Sequence, residues 1–140
     1  MLLDGWLLSH AGVHPKWWNP AARSIEERAR HLKWSWDEAF DQIFEEAEYP
    51  IFAPGKARGG VRPYGGPLWL DFDAEFQDAL EVPQIVGHKR CAKQAQKGCS
   101  YCIDMAQGAY AIVEDGVVQL RVWPDSWLGK AMQEESGESS

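Results

Sequence analysis

At 140 residues, with 45% hydrophobic residues and eight tryptophans, the chain has the size and apolar content of one folded domain, which excludes general disorder. A formal charge of −7 excludes a protein that coats nucleic acid with its whole surface, although a global sum hides local sign. Lys56, Arg58 and Arg62 give residues 54–66 a charge of +3, and Lys89, Arg90, Lys93 and Lys97 against Asp104 give residues 84–104 another +3.

The first eight residues have no basic segment, and Asp4 and Gly5 interrupt their apolar pieces, so no signal peptide is expected. No window reaches the apolar length of a membrane span. Residues 1–23 carry scattered aromatics with His14-Pro15 and Asn19-Pro20 as breakers, and only a first turn or two of helix is expected there. His10 and His14 have a spacing that holds zinc on a helix, but Gly12 and Pro15 favour a structural or surface role. Ser24-Ile25-Glu26-Glu27 and Ser35-Trp36-Asp37-Glu38 are capping boxes, which predict two helices over about 25–33 and 36–48. In the second, Trp36, Phe40, Ile43, Phe44 and Ala47 form a core stripe. Residues 37–48 hold six acids and no base, which reads as a solvated face or as an imitation of nucleic acid.

Residues 53–67 form a Gly- and Pro-rich loop carrying Lys56, Arg58 and Arg62, which is either an ordinary connection or a cradle for phosphates. It leads into Leu68-Trp69-Leu70-Asp71-Phe72-Asp73. On a strand, alternate residues share a face, so Asp71 and Asp73 project together. Two such acids repel unless a cation sits between them, which points to Mg2+ or Mn2+ and to a catalytic role in phosphate transfer. The plainer reading is that Asp73 caps a helix over 74–80.

His88, Cys91, Cys99 and Cys102 are spaced H-x2-C-x7-C-x2-C, two paired-ligand hooks of the kind tetrahedral zinc takes. Three cysteines within positions 91–102 suit a metal in a reducing compartment better than a disulfide framework, and a cytoplasmic protein is expected. Four protein ligands leave no water position, so the zinc is structural; the alternative is free thiols beside an unrelated histidine. Lys89, Arg90, Lys93 and Lys97 on this knuckle, with Lys56, Arg58 and Arg62, are the candidate nucleic-acid-binding residues. Residues 109–113 and 117–123 flank Glu114-Asp115-Gly116, a hairpin signal, and a short helix over 124–132 precedes a polar end. The fold class expected is α+β: a small, mostly antiparallel sheet made of residues 68–73 and the hairpin, with helices on one face and a zinc knuckle at residues 88–102. Residues 1–134 form one domain and 135–140 a flexible acidic tail. Trp36, Phe40, Phe44, Leu68, Leu70, Ile112, Val118 and Leu120 are the expected core.

The run Tyr64-Gly65-Gly66-Pro67-Leu68-Trp69-Leu70-Asp71-Phe72-Asp73, followed within about thirty residues by the Cys/His knuckle, resembles the archaeo-eukaryotic primase superfamily over roughly residues 49–102. The resemblance implies that Asp71 and Asp73 ligate the catalytic divalent metals and that His88, Cys91, Cys99 and Cys102 hold zinc. That family also uses a Ser-x-His or Gly-x-His element for the nucleotide phosphates and a third carboxylate at the end of a later strand. No histidine follows Cys102. His88 can serve the phosphates or the zinc but not both, and Asp104 and Asp115 are the acids left for the third position. Three functions compete: a primase-related DNA-replication protein of a phage or mobile element, truncated or completed by a partner chain; a non-enzymatic zinc module that binds nucleic acid or protein; and a small acidic anti-defence inhibitor.

Overall fold

The computed structural model describes residues 1–42, 49–91, 93–105 and 108–122. The fold is α+β, and the expected antiparallel sheet is corrected to a mixed one. Strands β1 (Leu2–Leu3), β2 (Trp6–Leu8), β3 (Gln84–Val86), β4 (Ala95–Lys97) and β5 (Ser100–Cys102) form a sheet in the order β1-β2-β3-β5-β4. Its two inner pairings are parallel, Leu8 opposite Ile85 and Val86 opposite Cys102, and its two outer ones are antiparallel hairpins. The chain makes the parallel pairings with long crossovers between β2 and β3 and between β3 and β5, which hairpin signals cannot reveal.

The N-terminal segment is a β-hairpin. Asp4 and Gly5 adopt φ of 43° and 79°, the left-handed pair that a two-residue hairpin turn requires. The same geometry recurs at Asp115 and Gly116, φ 50° and 75°, where strands β6 (Ala109–Glu114) and β7 (Val117–Val122) pair as the sequence predicts. That second ribbon stands apart from the main sheet and meets it through Trp6, whose Nε1 donates to the Gly116 carbonyl at 2.9 Å. Among the described residues, Ile112 is exposed and Val118 and Leu120 are only half-buried, against the expected core.

The two expected helices are one in the described residues, α1 (Ile25–Asp41). Ser24 caps it through a hydrogen bond that Oγ accepts from Glu27 N, and Glu27 Oε2 reaches back to Arg23 N at 2.7 Å. The second box starts no helix because residues 32–36 contain no Gly or Pro to end the first. Ile25, Ala29 and Leu32 lie against the buried cluster of Leu7, Val13, Trp18 and Val82, and Trp36 meets Phe52 edge-on. Phe40 lies one position beyond buried Ala39, about 100° around the helix, and is 56% exposed. Ile43, Phe44 and Ala47 fall outside the described residues, as do the helix expected over 124–132 and the tail.

Residues 68–73 are not a strand. Trp69 and Leu70 both donate to the Gly66 carbonyl, Glu75 and Phe76 both donate to the Asp71 carbonyl, and the run folds into two consecutive turns. Gly66 makes this possible: a Cβ there would stand 1.9 Å from the Ile51 carbonyl oxygen, so the backbone turns where no side chain fits. The turns still bury Leu70, Phe72 and Phe76, which form the second core cluster with Ala11, Val86 and Cys102; Leu68 is half-buried. No described helix is long and apolar enough to cross a membrane.

Candidate functional site at the carboxyl ends of the parallel strands

The three parallel strands end in step. Two residues beyond β2 is His10, two beyond β3 is His88, and two beyond β5 is Asp104. The register is carried past the strand ends by Gly87 N to His10 O at 2.8 Å and Ile103 N to Val86 O at 2.9 Å. In open sheets with parallel strands, ligands are commonly bound beyond these carboxyl ends. His88 itself takes φ 65°, a left-handed conformation that is uncommon outside glycine. Its Nδ1 faces His10 Nε2 at 2.9 Å, its ring meets Trp69 edge-on, and its Nε2 is buried without a hydrogen-bond partner among the described residues. Burial, then the Arg58 guanidinium and His10, push His88 below its ordinary value, against the opposing pull of Asp104 and Asp71, so its ring is neutral at pH 7.

Against this edge lies the 71–76 turn. Asp71 Oδ1 accepts from Asp73 N and Ala74 N, at 3.0 and 2.9 Å, so the cap falls on Asp71 and not on Asp73. Asp71 Oδ2 is 3.0 Å from Arg58 Nε, an ion pair in which the N–H is too poorly aligned to count as a hydrogen bond. Asp73 is paired with the Lys89 ammonium, and Lys97 Nζ donates to the Asp73 carbonyl at 2.7 Å. The two acids therefore carry protein cations. Burial raises the Asp71 carboxyl, but the Ala74 amide, Arg58 and the Asp73 amide outweigh it and hold the group below its usual range. The pairing with Asp73 raises the Lys89 ammonium.

The depressed Asp71 carboxyl has a consequence for acid stability. A carboxyl lower in the folded than in the unfolded state contributes stability above its unfolded value, near about 3.9, and loses it as pH falls toward its folded one. Wild type should thus lose stability below about pH 4 more steeply than Asp71→Asn, as read from urea midpoints between pH 3 and 7. Parallel curves for the two would remove the electrostatic role assigned to Asp71.

Glu75, which sequence reasoning missed, holds this site together. It is buried, and its carboxylate accepts from Gly65 N at 2.8 Å, Ala57 N at 3.1 Å and Asp71 N at 3.3 Å, tying the basic loop to the turn. No local pattern marks it, because its partners lie up to 18 residues away and are backbone amides. His10 stands at the site although Gly12 and Pro15 favour a structural or surface role for it; its only signal is its place just after an apolar run. His14 does take a structural role, its Nδ1 accepting from Lys16 N and its ring stacked on Tyr64 at 4.0 Å.

Of the candidate basic residues, Arg58, Lys89 and Lys97 turn toward the acids, Arg62 is half-buried with its carbonyl bound by Lys56 N, and Lys56, Arg90 and Lys93 are exposed. The four proposed zinc ligands are divided. Cys91 and Cys102 both touch the Lys89 carbonyl, His88 faces His10, and Cys99 is exposed at the turn between β4 and β5, where its amide binds Asp78 Oδ2. Among the described residues no three His, Cys, Asp or Glu side chains form a group that could hold a metal ion. As arranged, a divalent ion at Asp71 and Asp73 would have to displace Arg58 and Lys89, so the site in this arrangement does not fit one. What the arrangement can do is bind an anion: His88 Nε2 and Arg58 Nη2 are both buried without hydrogen-bond partners among the described residues, and in the tautomer that protonates Nε2 the imidazole donates to the anion while its Nδ1 accepts from His10. No protein-family model, curated protein or solved structure matches the chain.

Proposed function

We propose that the chain is a primase-related, nucleic-acid-binding protein of a phage or mobile element, acting in DNA replication and holding phosphate groups where β2, β3 and β5 end. The observation that carries this reading is the pair of buried, unpartnered nitrogens, Arg58 Nη2 and His88 Nε2, beside Asp71. A buried polar nitrogen without a partner costs about 1–3 kcal/mol, so a site that keeps two of them suits a ligand that completes them. On this reading His88 serves as the histidine that the resemblance asks for, and Asp104, two residues past β5, is the acid offered for the third carboxylate. Lys56, Arg90 and Lys93 supply exposed charge for a longer strand.

The reading is tested by the binding of a labelled single-stranded oligonucleotide followed by anisotropy across a salt series. Wild type should bind at low salt and weaken as salt rises. Lys56→Ala/Arg90→Ala/Lys93→Ala should flatten the log–log slope by about 0.7 for each phosphate that is no longer neutralised. No binding at low salt would instead favour the acidic inhibitor, for which α1 offers exposed Glu38 and Asp41, while Lys33 already pairs with Asp37. Zinc on His88, Cys91, Cys99 and Cys102, and Mg2+ or Mn2+ on Asp71 and Asp73, are separate proposals, each requiring these side chains to regroup. Metal analysis of the purified protein, with and without added Mn2+, decides both.

A further inference from the structure

The three cysteines are not equivalent. Cys102 ends β5 and is fully buried; Cys91 follows the His88-Lys89-Arg90 loop, is half-buried, and packs against the cluster that contains Cys102. The chain brings them together because Cys91 N donates to the Asp104 carbonyl at 2.8 Å and Cys91 forms a parallel bridge with Met105. Their sulfurs lie 3.1 and 3.4 Å from one oxygen, the Lys89 carbonyl. Cys99 is held away from them on the β4–β5 turn by Asp78. Nothing in the phosphate-binding reading uses this pair.

We propose that Cys91 and Cys102 are a redox site that a hydroperoxide closes to a disulfide and a dithiol reopens. The half-exposed sulfur reacts first. Cys91, as thiolate, attacks the peroxide oxygen; the O–O bond breaks, leaving Cys91 as sulfenic acid and releasing water after proton uptake. Cys102 sulfur then attacks Cys91 sulfur, the S–O bond breaks, and the hydroxyl leaves as water with the Cys102 proton. Two thiols lose two electrons and one hydrogen peroxide becomes two waters. Cys102 is fully buried, so peroxide does not reach it and its sulfur reacts only with the sulfenic acid formed beside it. Closure removes both S–H groups from the Lys89 carbonyl, in the loop that carries His88 and Lys89 to the site.

The full chain treated with hydrogen peroxide, then alkylated and weighed intact, reads the outcome without reference to any ligand. The expected result is the loss of two hydrogens, a Cys91–Cys102 linkage in the peptide map, Cys99 alkylated, and full reversal by dithiothreitol. Cys99→Ser should behave like wild type. Cys102→Ser should form no intramolecular bond and take oxygen on Cys91 instead. A linkage to Cys99, oxygen gained on Cys91 while Cys102 stays reduced in wild type, or cysteines that resist both reagents because a metal is bound would each overturn the assignment.

Discussion

Replacing Glu75 with alanine should lower the unfolding free energy by about 3 kcal/mol or more, a large share of the 5–15 kcal/mol typical of a domain. Three backbone amides, of Ala57, Gly65 and Asp71, lose a charged acceptor at once, and Gly65 is buried. Each bond to a charged group contributes about 1.5–3 kcal/mol, and water entering the space would recover only part of it. Glu75→Gln should fall between, because its single carbonyl oxygen can still accept while its NH2 faces donors. Urea denaturation measures both. Glu81→Ala is the control: its carboxylate bonds Trp18 and Arg28 but is largely exposed, and its loss should cost far less than that of Glu75. Equal stability of Glu75→Ala and wild type would mean that the basic loop is not anchored through Glu75.

Gln84→Leu is the second large effect. Gln84 lies in β3 at 0% exposure; its Oε1 accepts from Val13 N at 2.8 Å and its Nε2 donates to Val13 O at 3.1 Å. Leucine fills the space but leaves a buried N–H and a buried C=O unpaired, so a loss of about 2–4 kcal/mol is expected by thermal or urea unfolding. The damage should reach the site, because β3 positions His88 and its pairing with β2 sets His10 beside it. A neutral outcome would show that the Val13 backbone finds other partners and that the β2–β3 crossover does not depend on this residue.

The same dipeptide shows what the sequence does and does not reveal. Asp115-Gly116 lies between long alternating runs and reads as a hairpin. Asp4-Gly5 forms the same left-handed turn between strands of two and three residues, too short to show a period, and reads as a break. The helix start at Ser24 is legible because its cap is local; the absence of a second start at Ser35 is not, because a capping box has no force where the preceding helix simply continues. Asp71 and Asp73 read as a strand pair because their alternation with Leu70 and Phe72 fits one. The apolar half holds, with Leu70 and Phe72 both buried, but Gly65-Gly66-Pro67 bends the chain, and the acids meet Arg58 and Lys89, which lie 13 and 16 residues away in sequence. The composition of the site is therefore largely legible in the sequence and its wiring is not. Which cation faces which acid depends on the β2–β3 and β3–β5 crossovers, and no short-range pattern encodes those.

The measurement that bears most directly on the proposed phosphate site is a titration of isotope-labelled protein with inorganic triphosphate, followed by amide, Arg Nε–H and imidazole resonances. The account predicts saturable shifts at Gly87, His88 and Lys89 and at the Arg58 side chain, loss of saturation in Arg58→Ala and His88→Ala, and little change in either variant's remaining spectrum. Shifts confined to exposed Arg90 and Lys93, or saturation unaltered by both substitutions, would contradict it.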